Sequence, residues 1–546
     1  MTDIAAQPPN PSPAPAPAAP QPAEALGARV GHGMAWIVFV TIANKGLTSI
    51  AQIVLGWKLD AADFSVFAVA TGIAGFIMVC KEAGMRELVV QRGKDQYEQI
   101  AGPTFWLAFW YNVIVAAIIA ALAYPLSVYL NKPSFALVII VLGIALPIGT
   151  TGGMLLSKVR IDLDFARGSK ISFWSNLLRQ GSCIAFAFAG MGSMALALPA
   201  VVAAAAESIM YGRTSKIKLW REPAKTDQWP ALLRDSRWLM FASVANIAID
   251  WAPFVVLMPL GLLSATQNGL FYFGYQITAQ VGVMLGMSVL LVLMPALTRL
   301  NADPIRQGQA VMRSLRTLML VASIASLGLA ACMPALESLL WRGKWQDVVP
   351  ATILLGIFFP WRITFGLTAA LLMAQGRSKL YSMLTLFEGV GLTISCCVAA
   401  LIDPTATSVA LGAGLWLFIS RAAICLWITK QLGLPRRKLA IAMSSSWFMA
   451  ILAGAAGWAA DHYTNLRTLL APHIPFGSDA TKLMLTDAVR LGLAGTVTAL
   501  VFLILARLFL HEALRDVVLV APVRLRRILG LICGVQPHEK SPDVQA

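Results

Sequence analysis

The sequence predicts an all-α, polytopic membrane protein with about 14 transmembrane helices: two six-helix lobes around a central cavity, plus two extra C-terminal helices. Of its 546 residues, 58% are hydrophobic and only 13% are charged, whereas about a quarter of a soluble domain is charged. The mean hydropathy is +0.71. From Met34 onward, apolar runs of about 20 residues recur, the length of a helix that crosses a bilayer. This composition excludes a cytosolic enzyme, a disordered protein and a collagen-like chain.

The apolar runs predict the elements in order. The spans lie near 34–56, 64–84, 104–126, 134–156, 171–190, 193–212, 238–259, 266–295, 314–336, 349–373, 379–401, 407–429, 439–460 and 486–509. The runs are uniformly apolar and lack the alternation of barrel strands, so helices are the predicted spanning elements.

The loops and ends divide the chain into domains. Residues 1–30 are rich in Pro and Ala and predict a disordered tail, with no signal peptide. A basic cytoplasmic linker at 213–237 separates an N-terminal lobe, 31–212, from a C-terminal lobe, 238–430. An additional helix pair occupies 431–510. The basic tail 511–546 begins with an amphipathic helix over 511–533, which we expect on the inner leaflet.

The charge distribution predicts the orientation. The net charge of +16 would suggest nucleic acid in a soluble protein, but membrane proteins collect Lys and Arg in cytoplasmic loops. Every loop on the side of the N terminus is basic, whereas the opposite loops carry only Lys58, Lys132, Arg342, Lys344, Arg467 and Lys482. Both termini are therefore predicted in the cytoplasm, and no nucleic-acid partner is expected. The seven cysteines show no metal-ligand spacing.

Six charged residues lie well inside the predicted spans, where each costs about 2.5–3.5 kcal/mol on insertion scales. They are Lys45, Arg179, Asp250, Arg362, Glu388 and Arg421. Polar residues at helical spacing accompany them on several spans, for example Thr48 and Gln52 with Lys45, or Asn268, Tyr272 and Tyr275 on the eighth span. A polar stripe avoids lipid, so these faces predict a hydrated pathway between the lobes.

Other interpretations of these residues stay open at this point. Ser and Thr stripes often serve helix packing, and Arg179 and Arg421 could reach toward the membrane surface. Asp250 and Glu388 could be counter-ions of the cations. The excess of four cations over two acids favours an anionic lipid or organophosphate as substrate.

Several short motifs resemble those of the polysaccharide-transporter (Wzx-type) flippases of the multidrug/oligosaccharidyl-lipid/polysaccharide exporter superfamily. They are residues 62–68 (ADFSVFA), 82–85 (EAGM), 89–92 (VVQR), 163–165 (LDF), 268–272 (NGLFY), 295–300 (PALTRL), 341–345 (WRGKW) and 374–377 (AQGR). Glu82 stands where the family has Asp, and the family's "iGrflG" is degraded over 256–261, with its Arg missing.

The resemblance implies a flippase of the bacterial inner membrane. It would move polyprenyl-diphosphate-linked oligosaccharide to the periplasmic leaflet by alternating access, for exopolysaccharide, capsule or O-antigen synthesis. Its substrate would be the lipid-linked oligosaccharide, with a polysaccharide polymerase as a contact. We expect Lys45, Arg179, Arg362 and Arg421 to hold pyrophosphate or acidic sugars, and Asn268, Tyr272 and Tyr275 to bind sugar hydroxyls. Asp250 and Glu388 would couple transport to protons or sodium, with no cofactor or metal.

Two other functions compete with this one. A cation-coupled multidrug exporter of the same superfamily would need an acidic, aromatic cavity, which the excess of cations disfavours. A membrane glycan polymerase or glycosyltransferase could use Asp60 and Asp63 as metal-binding carboxylates, but the sequence offers no large periplasmic domain.

Overall fold

The computed structural model describes residues 23–79, 82–162, 164–215, 218–300, 303–464 and 479–520, together with residue 530. Within these ranges the chain is helical and contains no strand. Residues 1–22 of the predicted disordered tail, the greater part of the loop after the thirteenth predicted span, and the tail beyond residue 520 except residue 530 lie outside the described residues. Residues 23–30, predicted as the end of the disordered tail, are helical.

Six helices, numbered in chain order, make up the first part of the chain. They are α1 Ala23–Lys58, α2 Ala61–Val79, α3 Glu82–Tyr129, α4 Pro133–Ile161, α5 Phe165–Phe188 and α6 Met194–Thr214. The following connection contains two short 3₁₀ turns, Leu219–Arg221 and Thr226–Gln228.

Ten more helices follow in the part of the chain that the structure describes. They are α7 Trp229–Leu257, α8 Ala265–Arg299, α9 Pro304–Trp341, α10 Val349–Phe358, α11 Ile363–Ala374, α12 Ser378–Ile402, α13 Ala406–Thr429, α14 Arg436–Tyr463, α15 Asp479–Phe509 and α16 His511–Val520. Three 3₁₀ turns connect some of them: Gln346–Val348, Phe359–Arg362 and Lys430–Leu432.

Each of the fourteen predicted spans overlaps a helix, although one of them is interrupted and the predicted span 64–84 runs past the end of α2 into residues that lie outside the described ranges. The predicted span 349–373 consists of α10 and α11, separated by the 3₁₀ turn Phe359–Arg362. Pro360 explains the interruption, because proline lacks the backbone donor of a continuous helix and clashes with the preceding turn. In the described part of the chain, nine helices are long and apolar enough to cross a membrane. The number fourteen therefore stays a prediction.

The helices pack in two groups that meet along α2 and where α3 packs on α7. In the first group α5 lies along α1 and α6, and α4 lies between α3 and α6. In the second group α7 packs on α12, α8 on α11, and α9 on α10, α14 and α15. Helix α2 packs against both α7 and α8, and one apolar core spans the groups, with Leu55, Phe64 and Phe254 among its buried residues.

Helix α16 packs on the protein itself. Ala513, Leu514 and Val518 are buried against α9 and α15, and Arg316 of α9 forms an ion pair with Glu512 at 2.6 Å. Burial raises the pKa of Asp516, and the Arg316 guanidinium, 3.8 Å away, opposes that rise. The apolar face expected to lie on the inner leaflet is thus covered by protein over residues 511–520.

Candidate functional site

The polar faces of α1 and α5 contact each other through a ladder of side-chain amides. Asn176 donates to the side-chain and backbone oxygens of Asn44, both at 3.2 Å. One turn further, Gln180 donates to Thr48 at 3.1 Å and to Asn176 at 3.2 Å. Much of the predicted stripe on α5 therefore serves helix packing, one of the interpretations that the sequence left open.

A polar cleft lies beside this ladder, between α1, α2, α5 and α8. Its volume is about 100 Å³. Hydroxyl, amide and guanidinium groups line it, namely those of Thr48, Gln52, Arg179, Gln180, Tyr272 and Gln276. The rings of Phe64 and Phe67 complete the wall. The cleft combines hydrogen-bonding groups, flat apolar faces and one cation, a set that suits a sugar or a phosphate.

Among the four cations predicted for the substrate site, Lys45 and Arg179 have no carboxylate partner in the described ranges, and of these two only Arg179 lines the cleft. Lys45 donates to the side-chain oxygen of Gln280 on α8 at 3.3 Å and is partly buried. Arg179 is exposed where it lines the cleft. Because neither charge is neutralised by a neighbouring acid, both are available to an anion.

A second cluster of polar side chains lies at the 3₁₀ turn between α10 and α11. Arg362, the last residue of the 3₁₀ turn, forms an ion pair with Asp250 of α7 at 2.5 Å and donates to the hydroxyl of Tyr275 on α8. The Asp250 side chain is 49% exposed and that of Arg362 is 23% exposed. The interruption thus brings α7, α8 and the α10–α11 turn together at one accessible charge pair.

Glu388 and Arg421 form a separate, fully buried pair. Their side chains are 1% and 2% exposed, and Arg421 Nη2 lies 2.5 Å from Glu388 Oε2. The Arg421 guanidinium also lies 3.9 Å from the ring centroid of Phe365. To bind substrate and an ion, as the sequence analysis expects, Arg421 and Glu388 would have to lie in an accessible cavity. The structure instead encloses them between α11, α12 and α13, so we leave them out of the proposed site.

The predicted sugar-binding residues of α8 lie in different surroundings. Asn268 is completely buried and donates to Ser65 of α2 at 3.0 Å, so it belongs to a packed helix contact. Tyr272 is 4% exposed, borders the cleft and accepts a hydrogen bond from Gln276 at 2.7 Å. Tyr275, 7% exposed, contacts Arg362. Only Tyr272 reaches the cleft.

The carboxylates considered for an enzyme have structural partners. Asp60 pairs with Lys344 at 3.2 Å, and Asp63 accepts from the backbone N–H of Ser193 at 2.9 Å. Within the described ranges no group of three His, Cys, Asp or Glu side chains could hold a metal ion.

Sequence reasoning missed several residues that the structure brings into play. Gln180 and Gln280 lie on the predicted polar faces, and their helical spacing from Asn176 and Gln276 was the available signal. A charged cluster in the C-terminal pair was also missed: Arg490 of α15 contacts both oxygens of Asp461 on α14 at 2.7 and 2.9 Å. That cluster holds α14 and α15 together.

Comparisons with known proteins agree with this architecture. A family model described as "Polysaccharide biosynthesis protein" matches residues 55–350. The succinoglycan biosynthesis transport protein ExoT of Rhizobium meliloti (strain 1021) is 22% identical over 333 residues. This match covers 60% of the chain and 66% of ExoT.

Solved structures with the same fold are transporters. The lipid II flippase MurJ, in an inward closed conformation, has a TM-score of 0.65 at 10% identity and covers 87% of this chain and 99% of its own. An inward-facing multidrug resistance MATE transporter of the MOP superfamily has a TM-score of 0.56 at 11% identity, covering 72% of this chain and 98% of its own. At such identities the likeness shows the fold alone. With more than half of its length matched by the family model, the chain belongs to the polysaccharide biosynthesis protein family and has the all-helical membrane-transporter fold.

Proposed function

We propose that the protein is a flippase that moves polyprenyl-diphosphate-linked oligosaccharide across the bacterial inner membrane, from the cytoplasmic to the periplasmic leaflet. The family, the transport role in the name of ExoT and the MurJ fold support this function. Residues 31–212 and 238–430 would be the two lobes, 213–237 the linker and 431–510 an accessory pair. Both termini would face the cytoplasm, as the basic loops indicate.

The cleft with Arg179 is the observation that carries the proposal. A lipid-linked oligosaccharide offers anionic pyrophosphate, hydroxyl-rich rings and a prenyl chain. Arg179 and Lys45 supply positive charge that no neighbouring carboxylate neutralises, and a guanidinium forms two parallel hydrogen bonds with phosphate or carboxylate. Gln52, Gln180 and Gln276 supply both donors and acceptors for hydroxyl groups.

The accessible pair Asp250–Arg362 is our candidate for coupling transport to protons or sodium. A carboxylate that holds a guanidinium in one state releases it when a proton or sodium ion neutralises the carboxylate. Asp250 is half exposed, so an ion can reach it, whereas Glu388 is enclosed. We therefore assign coupling to Asp250 in preference to Glu388.

Replacement of Arg179 tests the substrate assignment. We expect Arg179→Gln to lower export of the polysaccharide by at least about tenfold, because one charge-assisted hydrogen bond is worth about 1.5–3 kcal/mol. Arg179→Lys keeps the charge but loses the planar fork, so it should retain part of the activity. Export is measured as extracellular polymer per membrane-embedded protein.

The matched control is Arg306→Gln, an exposed arginine on α9 that lies away from the cleft and pairs with Asp303. It should export normally. Normal export by Arg179→Gln, at normal protein level, would remove Arg179 from the substrate site.

A cation-coupled drug exporter is the weaker alternative. Such a protein needs an unneutralised carboxylate for a cationic drug, but Asp250 and Glu388 each face an arginine. Increased drug susceptibility of a deletion strain, with normal polysaccharide, would favour it.

A further inference from the structure

The last residue of α9 and the loop that follows it contact the C-terminal end of α1. The indole of Trp341 donates to the backbone oxygen of Ile53 at 3.1 Å, and that of Trp345 donates to Gly56 at 2.9 Å. Lys344 donates to the backbone oxygen of Leu59, also at 2.9 Å. These contacts join the first group of helices to the second. We call residues 341–345 the clamp loop.

Two of the acceptors in these contacts are backbone carbonyl groups at the end of α1: Gly56 lies in its last turn and Leu59 follows it directly. The last four carbonyl groups of a helix have no partner within it, and the helix dipole makes this end negative. The Lys344 ammonium meets that end directly and also lies 3.2 Å from Asp60. When such donors leave, water at the membrane surface can replace them. The contact is therefore suited to open and close.

Trp345 connects the clamp loop to the cleft. Its side chain is 1% exposed and stacks on Phe273 of α8, with ring centroids 4.1 Å apart. Its other neighbour is Phe64 of α2, at 5.6 Å, and Phe64 lines the cleft. Withdrawal of Trp345 would remove the packing behind one wall of the cleft.

Gly56 allows this close approach. A Cβ atom at Gly56 would lie 2.3 Å from Nε1 of Trp341, which is too short for a real contact. Trp341 is 5% exposed and has little room to retreat. Gly46, on the same helix, would place its Cβ in open space.

We propose that the clamp loop is a latch: it closes one end of the cleft by holding α1, and it must release α1 before cargo can leave through that end. The end concerned carries the C terminus of α1, which the charge distribution predicts to be periplasmic. This inference rests on the proposed function, because a latch matters only if the two groups of helices separate.

The test uses Cys183, a native reporter that lines the cleft and is 6% exposed. The full-length protein is reconstituted in lipid nanodiscs and treated with a water-soluble maleimide, and modification of Cys183 is followed by peptide mass spectrometry. We expect Gly56→Ala and Lys344→Met each to speed modification about tenfold, the shift produced by loss of about one hydrogen bond. Gly46→Ala should behave like the unaltered protein.

Cys425 serves as the reporter of unfolding, because it is completely buried in a different cluster of the second group. If Gly56→Ala also exposes Cys425, the variant is partly unfolded and its result does not count. The Lys344→Met variant, which removes hydrogen-bond donors without adding bulk, then provides the test. Unchanged modification of Cys183 in Lys344→Met, with Cys425 protected, would make the clamp loop a static contact and overturn the proposal. The measurement needs no substrate, so failure of the Arg179 experiment leaves it unaffected.

Discussion

Arg421 and Glu388 illustrate how a charge inside a span can be structural. Both side chains are enclosed and meet only at one 2.5 Å contact. Within the described residues, Arg421 Nε and Nη1 lack a hydrogen-bond partner. The two charges neutralise each other inside the packed helices, so we do not include them in the proposed substrate site. The sequence shows that these charged residues lie inside predicted spans, but it does not show which residues they pair with.

We expect Arg421→Ala to lower the free energy of unfolding by about 3–5 kcal/mol, because it leaves Glu388 charged and buried without a partner. The double variant Glu388→Leu with Arg421→Met should recover most of this loss, since apolar residues often replace a buried ion pair without cost. Denaturant unfolding in detergent micelles measures both. A loss of export in Arg421→Ala without loss of stability would instead return Arg421 to the substrate site.

Asp250 and Arg362 represent the opposite case, because their pair is accessible. We expect Asp250→Asn to slow export by at least about tenfold, as it removes the charge from a charge-assisted hydrogen bond worth about 1.5–3 kcal/mol. Residual export should no longer respond to a proton or sodium gradient. Reconstituted flipping measured with and without each gradient tests this.

Asp227→Asn is the control for that experiment, because Asp227 is exposed in the turn Thr226–Gln228, outside the site. It should respond to the gradients like the unaltered protein. A response retained in full by Asp250→Asn would exclude Asp250 as the coupling residue.

At the scale of the elements, the interruption between α10 and α11 positions Arg362. A 3₁₀ turn has 3.0 residues per turn and an α-helix has 3.6, so a change from one to the other re-aims each following side chain. The sequence FFPWR contains the signal, because Pro360 stands in the middle of an apolar run. A count of apolar residues cannot detect such a break, since the hydropathy of the run is unaffected.

We expect Pro360→Ala to favour a continuous helix, turn Arg362 away from Asp250 and lower export several-fold, while thermal stability is kept or raised. Pro350→Ala is the matched control, because Pro350 lies in the first turn of α10, where proline is tolerated. Equal export by both variants, at equal protein level, would show that the break does not matter for transport.

At the scale of the whole molecule, the two groups of helices meet along α2, where α3 packs on α7, and through the clamp loop. The α2 contact and the clamp loop depend on small residues that let backbones approach: a Cβ at Gly269 would lie 1.7 Å from the backbone oxygen of Ala61. Gly269 and Ala61 are too far apart in the sequence for any local sequence pattern to indicate that they are in contact. The motif WRGKW at residues 341–345 could be recognised in the sequence by its family resemblance. Its hydrogen bonds to α1 could not be predicted from the sequence.

The sequence by itself determined the membrane class, the helical fold and the approximate positions of the apolar segments. These follow from apolar runs and from the need to satisfy backbone groups inside a single segment, which are local properties. It also identified the charged residues inside the spans. The tertiary structure decided which of them are neutralised, because Arg362 meets Asp250 and Arg421 meets Glu388 only through packing of different helices. Partnership between distant residues depends on helix rotation and register, which no local pattern encodes.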